Sequence, residues 1–376
     1  MLKHLNDQLF AKSMIILPVY PSFHVLGIVH EEAICLNSRD RVPFMLYLEV
    51  KVMDGTYFFT DTTEDISKVI NTPDTDDELE VKVIAKHDTS DLQANSKLLN
   101  TIFGENWKTK ENKIWRTSPY RSISGWRLIS FIVKSGDDLR QEQLAMQLIT
   151  QFYRIFKKTN LPLWLRPYLV VATGQDSGLI ETIPDSTSLD TLKKKCPNYT
   201  TLLNYFIDAY GDNRSKEFIL AQSNFIESVA GYALVCYFLQ IKDRHNGNIL
   251  IDRKGHIIHI DYGFLLSTSP GAINFEKAPF KLTEEIVELM GGEKSDRFKY
   301  FTVLLLSGFL QVRNHYQEFM MMIELMIPHT NLKCLKREGV LDSFRARFRL
   351  DLRTEEQCSE FINQMVNDNF ILSPNQ

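Results

Sequence analysis

The order of apolar and polar positions divides the chain into two halves. Between residues 22 and 60, short apolar runs alternate with turns: "HVLGIVH", "AICL", "PFMLYLEVKVM" and "TYFFT". Their β-branched and aromatic content predicts strands. Residues 61 to 112 lose that pattern. "DTTEDISKVINTPDTDDELE" is acidic and turn-rich, which predicts a mobile insertion, with a short helix at Leu98 to Phe103. Order is expected again from Trp115, and "WRLISFIVKSG" (126 to 136) reads as a strand. From 137 to 158 the apolar residues fall at helical spacing, among them Leu144, Leu148, Phe152 and Phe156, with Asp137 and Asp138 near the positive end of the helix dipole. "PYLVVATG" is a further strand, and Gly178 to Ile183 a connector ended by Pro184.

After Pro184 the pattern turns helical, with helices predicted over 188 to 195, 199 to 209 and 216 to 241. A hairpin follows, "NILI" and "HIIHID" around the turn Asp252-Arg253-Lys254-Gly255. "LTEEIVELMGG" predicts a helix with Thr283 as N-cap and a stop at Gly291-Gly292. Three more helices are expected over 297 to 312, 314 to 327 and 354 to 368. The plan is a strand-rich lobe over 1–182 and a mainly helical lobe over 183–376, an α+β architecture. Ligands favour the cleft between such lobes.

Composition narrows the partners. The net charge of −4 gives no overall field for nucleic acid or an anionic membrane, so an anionic partner must meet a local patch. The five cysteines (Cys35, Cys196, Cys236, Cys334 and Cys358) are odd in number and form no CxxC. They fit a reducing, cytoplasmic compartment and argue against a disulfide framework or a zinc site. No signal peptide is expected at the N-terminus. The longest apolar run, 229 to 241, is shorter than the roughly 20 residues of a membrane span and predicts a buried helix. Contact with a membrane would therefore be peripheral.

Between that buried helix and the hairpin lies "KDRHNGN", an unusual density of polar groups. Phosphoryl transfer requires a cation on the nucleotide phosphates, oxygen ligands for Mg²⁺, and a group to orient or deprotonate the attacking hydroxyl. Protein kinases supply these with an Asp, an Asn five residues later, and a second Asp followed by an aromatic residue and Gly. Here Asp243 precedes Asn248 by five, and Asp261-Tyr262-Gly263 closes the hairpin. A hairpin brings Asn248 and Asp261 to the same end, where two oxygens can share one metal. Lys134, at the end of its strand, supplies the cation; the candidate partner acids are Glu142 on the next helix, and Asp137 and Asp138 closer to the strand. Singly, each feature reads as a turn or a solvated strand end; in one order, on fitting elements, they read as a site. Two features depart from protein kinases. No G-x-G-x-x-G precedes Lys134, where "RTSPYRSISGW" stands instead, and the catalytic loop (242 to 250) reads Asp-Arg-His.

"DRHNGN", "HIDYG", "GDDLRQE" and "KLTEEIVELMGG" together resemble the catalytic domain of the phosphatidylinositol 3- and 4-kinases, over nearly the whole chain outside 61 to 112. Within that family, "LNSRDRVPFMLYLEV", "SPY" and "SPGAINFEKAPFKLTEEIVELMGG" are similar to the type III 4-kinases of the beta form. The resemblance implies a bilobal kinase-like fold with an ATP cleft. It places Ser118 over the phosphates, Lys134 on the α- and β-phosphates with Glu142 contacting it, and Tyr168 beside the inner nucleotide pocket. Glu181, Thr182 and Ile183 become the hinge, whose backbone bonds adenine. Asn248 and Asp261 become ligands of Mg²⁺, with Mn²⁺ as a possible substitute. Asp243 and His245 act on the inositol hydroxyl, with the choice of base left open, and Arg244 is either structural or neutralises developing charge. His259 reads more as a packed strand residue than as a base.

In this family the loop 264 to 280, within the activation loop (261 to 283), reads the lipid head group. It holds one acid, Glu276, and one base, Lys277, with Lys281 just outside; both lysines are candidate substrate contacts. Each ring phosphate adds about −1.5 to −2 charge and would need several Arg or Lys. An unphosphorylated inositol ring therefore suits the loop. Charge does not distinguish the 3- from the 4-hydroxyl; resemblance favours the 4-kinase. The alternatives are a vesicle-trafficking 3-kinase, an atypical protein kinase and a pseudokinase scaffold. Expected membrane contacts are Phe264, Leu265 and Leu266, and a basic face formed if Arg345, Arg347 and Arg349 alternate on a strand. Small-GTPase or adaptor recruitment and a Golgi address follow from resemblance alone.

Overall fold

The computed structural model describes residues 2–7, 15–17, 20–36, 42–52, 97–270 and 278–372. The N-terminal half begins with α1 (Leu2–Leu5), β1 (Ile15–Leu17), β2 (Tyr20–Ile28), β3 (Ile34–Cys35) and β4 (Phe44–Val52). Helix α2 (97–103) and α3 (Trp107–Thr117) precede β5 (Trp126–Ser135), α4 (Arg140–Lys158), β6 (Val170–Gly174) and β7 (Ser177–Glu181). The strands form one antiparallel sheet ordered β1-β2-β4-β5-β7-β6, with β3 on β4. Strand β4 shows why it folds so: Tyr47, Leu48 and Val50 are buried, with Phe23 and Phe131 packed beside Leu48 and Val50.

The second half holds β8 (Ser186–Ser188), α5 (Leu189–Lys195), α6 (Leu202–Tyr210), α7 (Lys216–Leu239), β9 (Ile249–Asp252) and β10 (Ile257–His259). It ends with α8 (Glu284–Leu289), α9 (Asp296–Asn314), α10 (Tyr316–Met326), α11 (Val340–Ala346) and α12 (Glu355–Leu372). The fold is the α+β, bilobal, kinase-like one. Helix α7 is the pillar: it is long and apolar enough to cross a membrane, but its residues from Phe225 to Leu239 are almost all buried among the other helices. It is a core helix, as the short apolar run predicts. Gly255 in the β9–β10 turn has φ +90°, and a Cβ there would lie 2.8 Å from the Ala221 carbonyl, so glycine lets the hairpin tip close onto α7.

Two expectations are corrected. Residues 97–117 are largely helical, so order begins well before Trp115. The lysine-rich α3 hides its packing: Trp107 stacks on Tyr47 and Ile114 is buried, while most of its other positions are solvated. The Ser177–Glu181 segment is not a connector but a strand between β5 and β6, and the hinge follows it directly. Its Gly178 and the nearby Pro184 mimic loop punctuation. Residues 61–96 of the acidic segment, and "TYFFT", lie outside the described residues.

Within the described residues from 97 on, the chain passes between the halves twice. Ile102 of α2 belongs to the large core of the helical half, whereas α3 packs on the sheet, and Gly104 at φ +79° turns the chain between them. The usual crossing runs through residues 182 to 185. Arg253 clasps both crossings, donating to Asp185 Oδ1 (3.2 Å), Asn100 Oδ1 (3.2 Å) and the Gly104 carbonyl.

Candidate active site

Helix α7 ends at Gln240 in the left-handed region (φ 50°), which turns the chain into the 242 to 250 loop. Asp243 (φ 65°) and Asp261 (φ 60°) are left-handed too. Such residues cost about 1 kcal/mol or more each and persist where surroundings over-determine them. Here the surroundings are identifiable. Asn248 Nδ2 donates to the Asp243 carbonyl at 3.1 Å, and the Asn248 carbonyl accepts from Ile260 N–H at 3.0 Å. Asp261 Oδ1 accepts from Gly263 N–H at 3.2 Å. Asn248 and Asp261 thus stand at one end of the hairpin.

Arg244 is 4% exposed, and its guanidinium donates to the carbonyls of Lys242 (3.1 Å), Ile260 (2.9 Å) and Asp261. It also lies over the Tyr262 ring, 5.6 Å from the centroid. Its charge is turned inward, stapling the loop to the segment after β10 that carries Asp261, a geometry that suits the structural one of the two roles left open by the sequence. His245 is exposed, and its Nδ1 accepts from Gly247 N–H at 3.0 Å. A Cβ on Gly247 would lie 2.8 Å from the imidazole, so the glycine leaves the ring its place.

The other half meets this assembly through α4. Gln141 Nε2 donates to the carbonyls of Tyr262 (3.0 Å) and Gly263 (2.5 Å). Burial pushes the neighbouring Glu142 carboxyl up; the Tyr168 hydroxyl and the charges of Lys134 and Arg244 oppose that rise, and Asp261 adds to it. Tyr168 donates to Glu142 Oε1 at 2.7 Å, and burial pushes its own phenol up. Lys134, Glu142 and Asp261 therefore share one electrostatic neighbourhood. The ion pair that Lys134 makes is with Asp137, at 4.0 Å and half exposed, so it adds little stability and gives way easily to a stronger anion. Gln141 lay inside the "GDDLRQE" motif, yet nothing in its spacing announced the bridge.

Other expected contacts are placed differently. The Ser118 hydroxyl does not face open space: it donates to the buried Glu49 carboxylate, which also accepts from Trp126 Nε1 at 2.9 Å. Ser118 therefore anchors its loop to the sheet, a role unreadable without knowing that Glu49 lies beneath it. At the hinge, Glu181 N–H donates to the Leu169 carbonyl (2.8 Å) and Thr182 N–H to the Ser130 carbonyl (3.2 Å). The Glu181 side chain is tied to Arg166 at 2.8 Å. Of the three residues expected at the hinge, Ile183 is the one whose N–H meets no backbone carbonyl. Lys277 lies outside the described residues. Lys281 is buried, its ammonium bonded to Asn246 Oδ1 (2.9 Å) and the Arg244 carbonyl (3.2 Å), so it is no surface contact for a head group.

The expected membrane contacts are also corrected. Leu265 and Leu266 are buried in the core; Phe264 is half-buried. Arg345 to Arg349 do not form a strand: α11 ends at Ala346, Arg347 lies over Tyr237, and Arg349 lies over Phe361 and pairs with Asp351. Apolar anchors at Phe344 and Phe348, four apart, set a helical turn there.

His259 is 3% exposed and stacks on Tyr232, the centroids 4.7 Å apart. Burial, with Arg244 and Lys281 nearby, holds its imidazole well below the ordinary value of 6.5. The unfolded chain accepts a proton below that value and the folded chain does not. Stability should therefore fall as pH drops through about 6.5, at up to about 1.4 kcal/mol per pH unit, until the folded-state value is reached. Denaturant titrations from pH 7.5 to 5 should show this slope in the parent and a shallower one in His259→Phe; equal slopes would remove the assignment.

The oxygens at the hairpin end suit a hard divalent cation. With Nδ2 of Asn248 committed, its Oδ1 is the remaining side-chain donor beside the Asp261 carboxylate. Among the described residues no group of three or more His, Cys, Asp or Glu could hold an ion.

Fold and site together have the bilobal kinase-like arrangement. The profile of the family "Phosphatidylinositol 3- and 4-kinase" matches residues 128–334, and the chain belongs to that family. It is 50% identical over 279 residues to a phosphatidylinositol 4-kinase of Dictyostelium discoideum, covering 72% of this chain and 24% of that protein. It is 49% identical over 292 residues to phosphatidylinositol 4-kinase beta 1 of Arabidopsis thaliana, covering 75% and 26%. It is 44% identical over 262 residues to phosphatidylinositol 4-kinase beta of Danio rerio, covering 70% and 31%. The matched region spans about a quarter to a third of these relatives' length.

Proposed function

We propose that this chain carries the catalytic machinery of a phosphatidylinositol 4-kinase, which moves the γ-phosphate of ATP to the 4-hydroxyl of phosphatidylinositol. One observation supports the machinery most: Gln141 of α4 bonds to the backbone of Tyr262 and Gly263, beside Asp261, and the next residue, Glu142, lies close enough to feel both Lys134 and Asp261. The names of the similar proteins support the 4-hydroxyl, which charge cannot select.

Lobes 1–182 and 183–376 are taken as the two sides of the nucleotide cleft. Lys134 leaves Asp137 for the α- and β-phosphates, with Glu142 orienting its ammonium, while Tyr168 keeps Glu142 in place. The Ile183 amide faces adenine as donor. Mg²⁺, when bound, supplies positive charge against the phosphate oxygens, with Asn248 Oδ1 and the Asp261 carboxylate as protein ligands. Asp243 and His245 orient the inositol hydroxyl, and one of the two accepts its proton. Arg244 stays out of the chemistry and holds the loop. The described part of the 264 to 280 loop contains no Lys or Arg, and Lys281 beside it is turned inward. That favours an inositol ring without extra phosphates.

Peripheral contact with internal membranes of the Golgi type, and recruitment by a small GTPase or adaptor, belong to the same proposal and rest on resemblance. The test is turnover of phosphatidylinositol vesicles with Mg-ATP, followed by identification of the phosphorylated position. Phosphatidylinositol 4-phosphate is expected. The 3-phosphate would favour the sister activity, and phosphorylation of protein but not lipid would overturn the reading.

A further inference from the structure

We propose that Lys281 is a positioning residue that ties the head-group loop to the catalytic loop and so sets where His245 stands. This deepens the proposed lipid-kinase reading and rests on it for the identity of the loop. Lys281 is 7% exposed, between Phe280 (4%) and Leu282 (0%). Phe280 N–H is held by Asn369 Oδ1 of α12 at 3.2 Å, so this end of the loop is fixed to the helical core. From that fixed point the Lys281 ammonium reaches Asn246 Oδ1 at 2.9 Å and the Arg244 carbonyl at 3.2 Å. Those two residues flank His245 in the chain. The imidazole is then set by Gly247 N–H at Nδ1. The other end of the loop is fixed as well, through Leu266 N–H on the Leu239 carbonyl at 2.7 Å and Ser267 Oγ on the Cys334 carbonyl at 2.8 Å.

A buried ammonium is tolerated only when hydrogen-bonded, and its acceptors are held in turn. Methionine at 281 would fill similar space, lose the bonds to Asn246 and the Arg244 carbonyl, and leave those two groups to reorient. The seat of the acceptor hydroxyl would move while the nucleotide side, built on Lys134 and the hinge, would not.

Lys281→Met should lower kcat for phosphatidylinositol about 10- to 100-fold, the range expected of an ångström-scale displacement. KM for ATP should stay within about twofold, since uniform binding of nucleotide is untouched. Combined with Asn246→Ala, the loss should be smaller than the product of the single losses, because both remove one contact. Hydrogen exchange over residues 243 to 248 should quicken in Lys281→Met, whatever the substrate. A kcat within twofold of the parent, losses that multiply independently, or unchanged exchange would each overturn the proposal. Should Met prevent folding, Lys281→Gln is read by the same measures. A parent protein that leaves lipid untouched refutes the lipid-kinase reading, while the exchange comparison still decides whether Lys281 orders the loop.

Discussion

Asp261→Asn should lose about 10³-fold or more in turnover while unfolding within about 2 °C of the parent. The substitution is chosen for its backbone. Asp261 sits at φ 60° and its Oδ1 accepts from Gly263 N–H. Asparagine tolerates the left-handed region nearly as well and offers the same amide-accepting oxygen. Only the charge is removed. A carboxylate that holds a divalent ion against phosphate oxygens contributes several kcal/mol to the transition state, and each 1.36 kcal/mol is about tenfold in rate. Alanine would add a backbone cost of about 1 kcal/mol and confuse the readings. Steady-state turnover beside a thermal melt separates them. Near-parental turnover in a folded Asp261→Asn protein would take Asp261 out of the metal site and the proposed mechanism with it.

How much of this was legible in the sequence follows from which contacts are local. The hairpin was readable because its turn and both strands lie within eleven residues, 249 to 259. That alone puts Asn248 and Asp261 at one end. Helix α7 was readable because a continuous apolar run has no other place than the interior. What failed depended on distant partners. Ser118 looks available until Glu49, 69 residues away, proves to lie against it. Lys281 looks like a surface base until Asn246, 35 residues back, takes its ammonium. Alternation at Arg345, Arg347 and Arg349 mimics a strand, but buried Phe344 and Phe348 impose the helical spacing. Strand β7 was missed because its partners, β5 and β6, carry the signal it lacks.

Arg244→Lys keeps the charge and should nevertheless cost about 2–4 kcal/mol of stability and about 100-fold in turnover. The estimate rests on geometry. Three backbone carbonyls, of Lys242, Ile260 and Asp261, accept from one planar guanidinium. An ammonium offers three donors from a single point and cannot span the same fork. One carbonyl would be served again and two left short of a partner; a fully buried group left unserved costs about 1–3 kcal/mol, and these part-buried ones fall toward the lower end. The contact with the face of Tyr262 would weaken as well. The melt should fall by about 5–10 °C. Turnover should fall further than stability alone explains, because the carbonyl of Asp261 is one of the three and its carboxylate is the proposed metal ligand. A displacement of about 1 Å there is worth about two orders of magnitude. Turnover measured well below the new melting midpoint, where the variant is folded, isolates that part. If Arg244→Lys melts with the parent and turns over at a similar rate, water serves those carbonyls and the staple is dispensable. If it melts early but turns over normally once folded, Arg244 stabilises the loop without setting the direction of Asp261, and the coupling of staple to metal ligand fails.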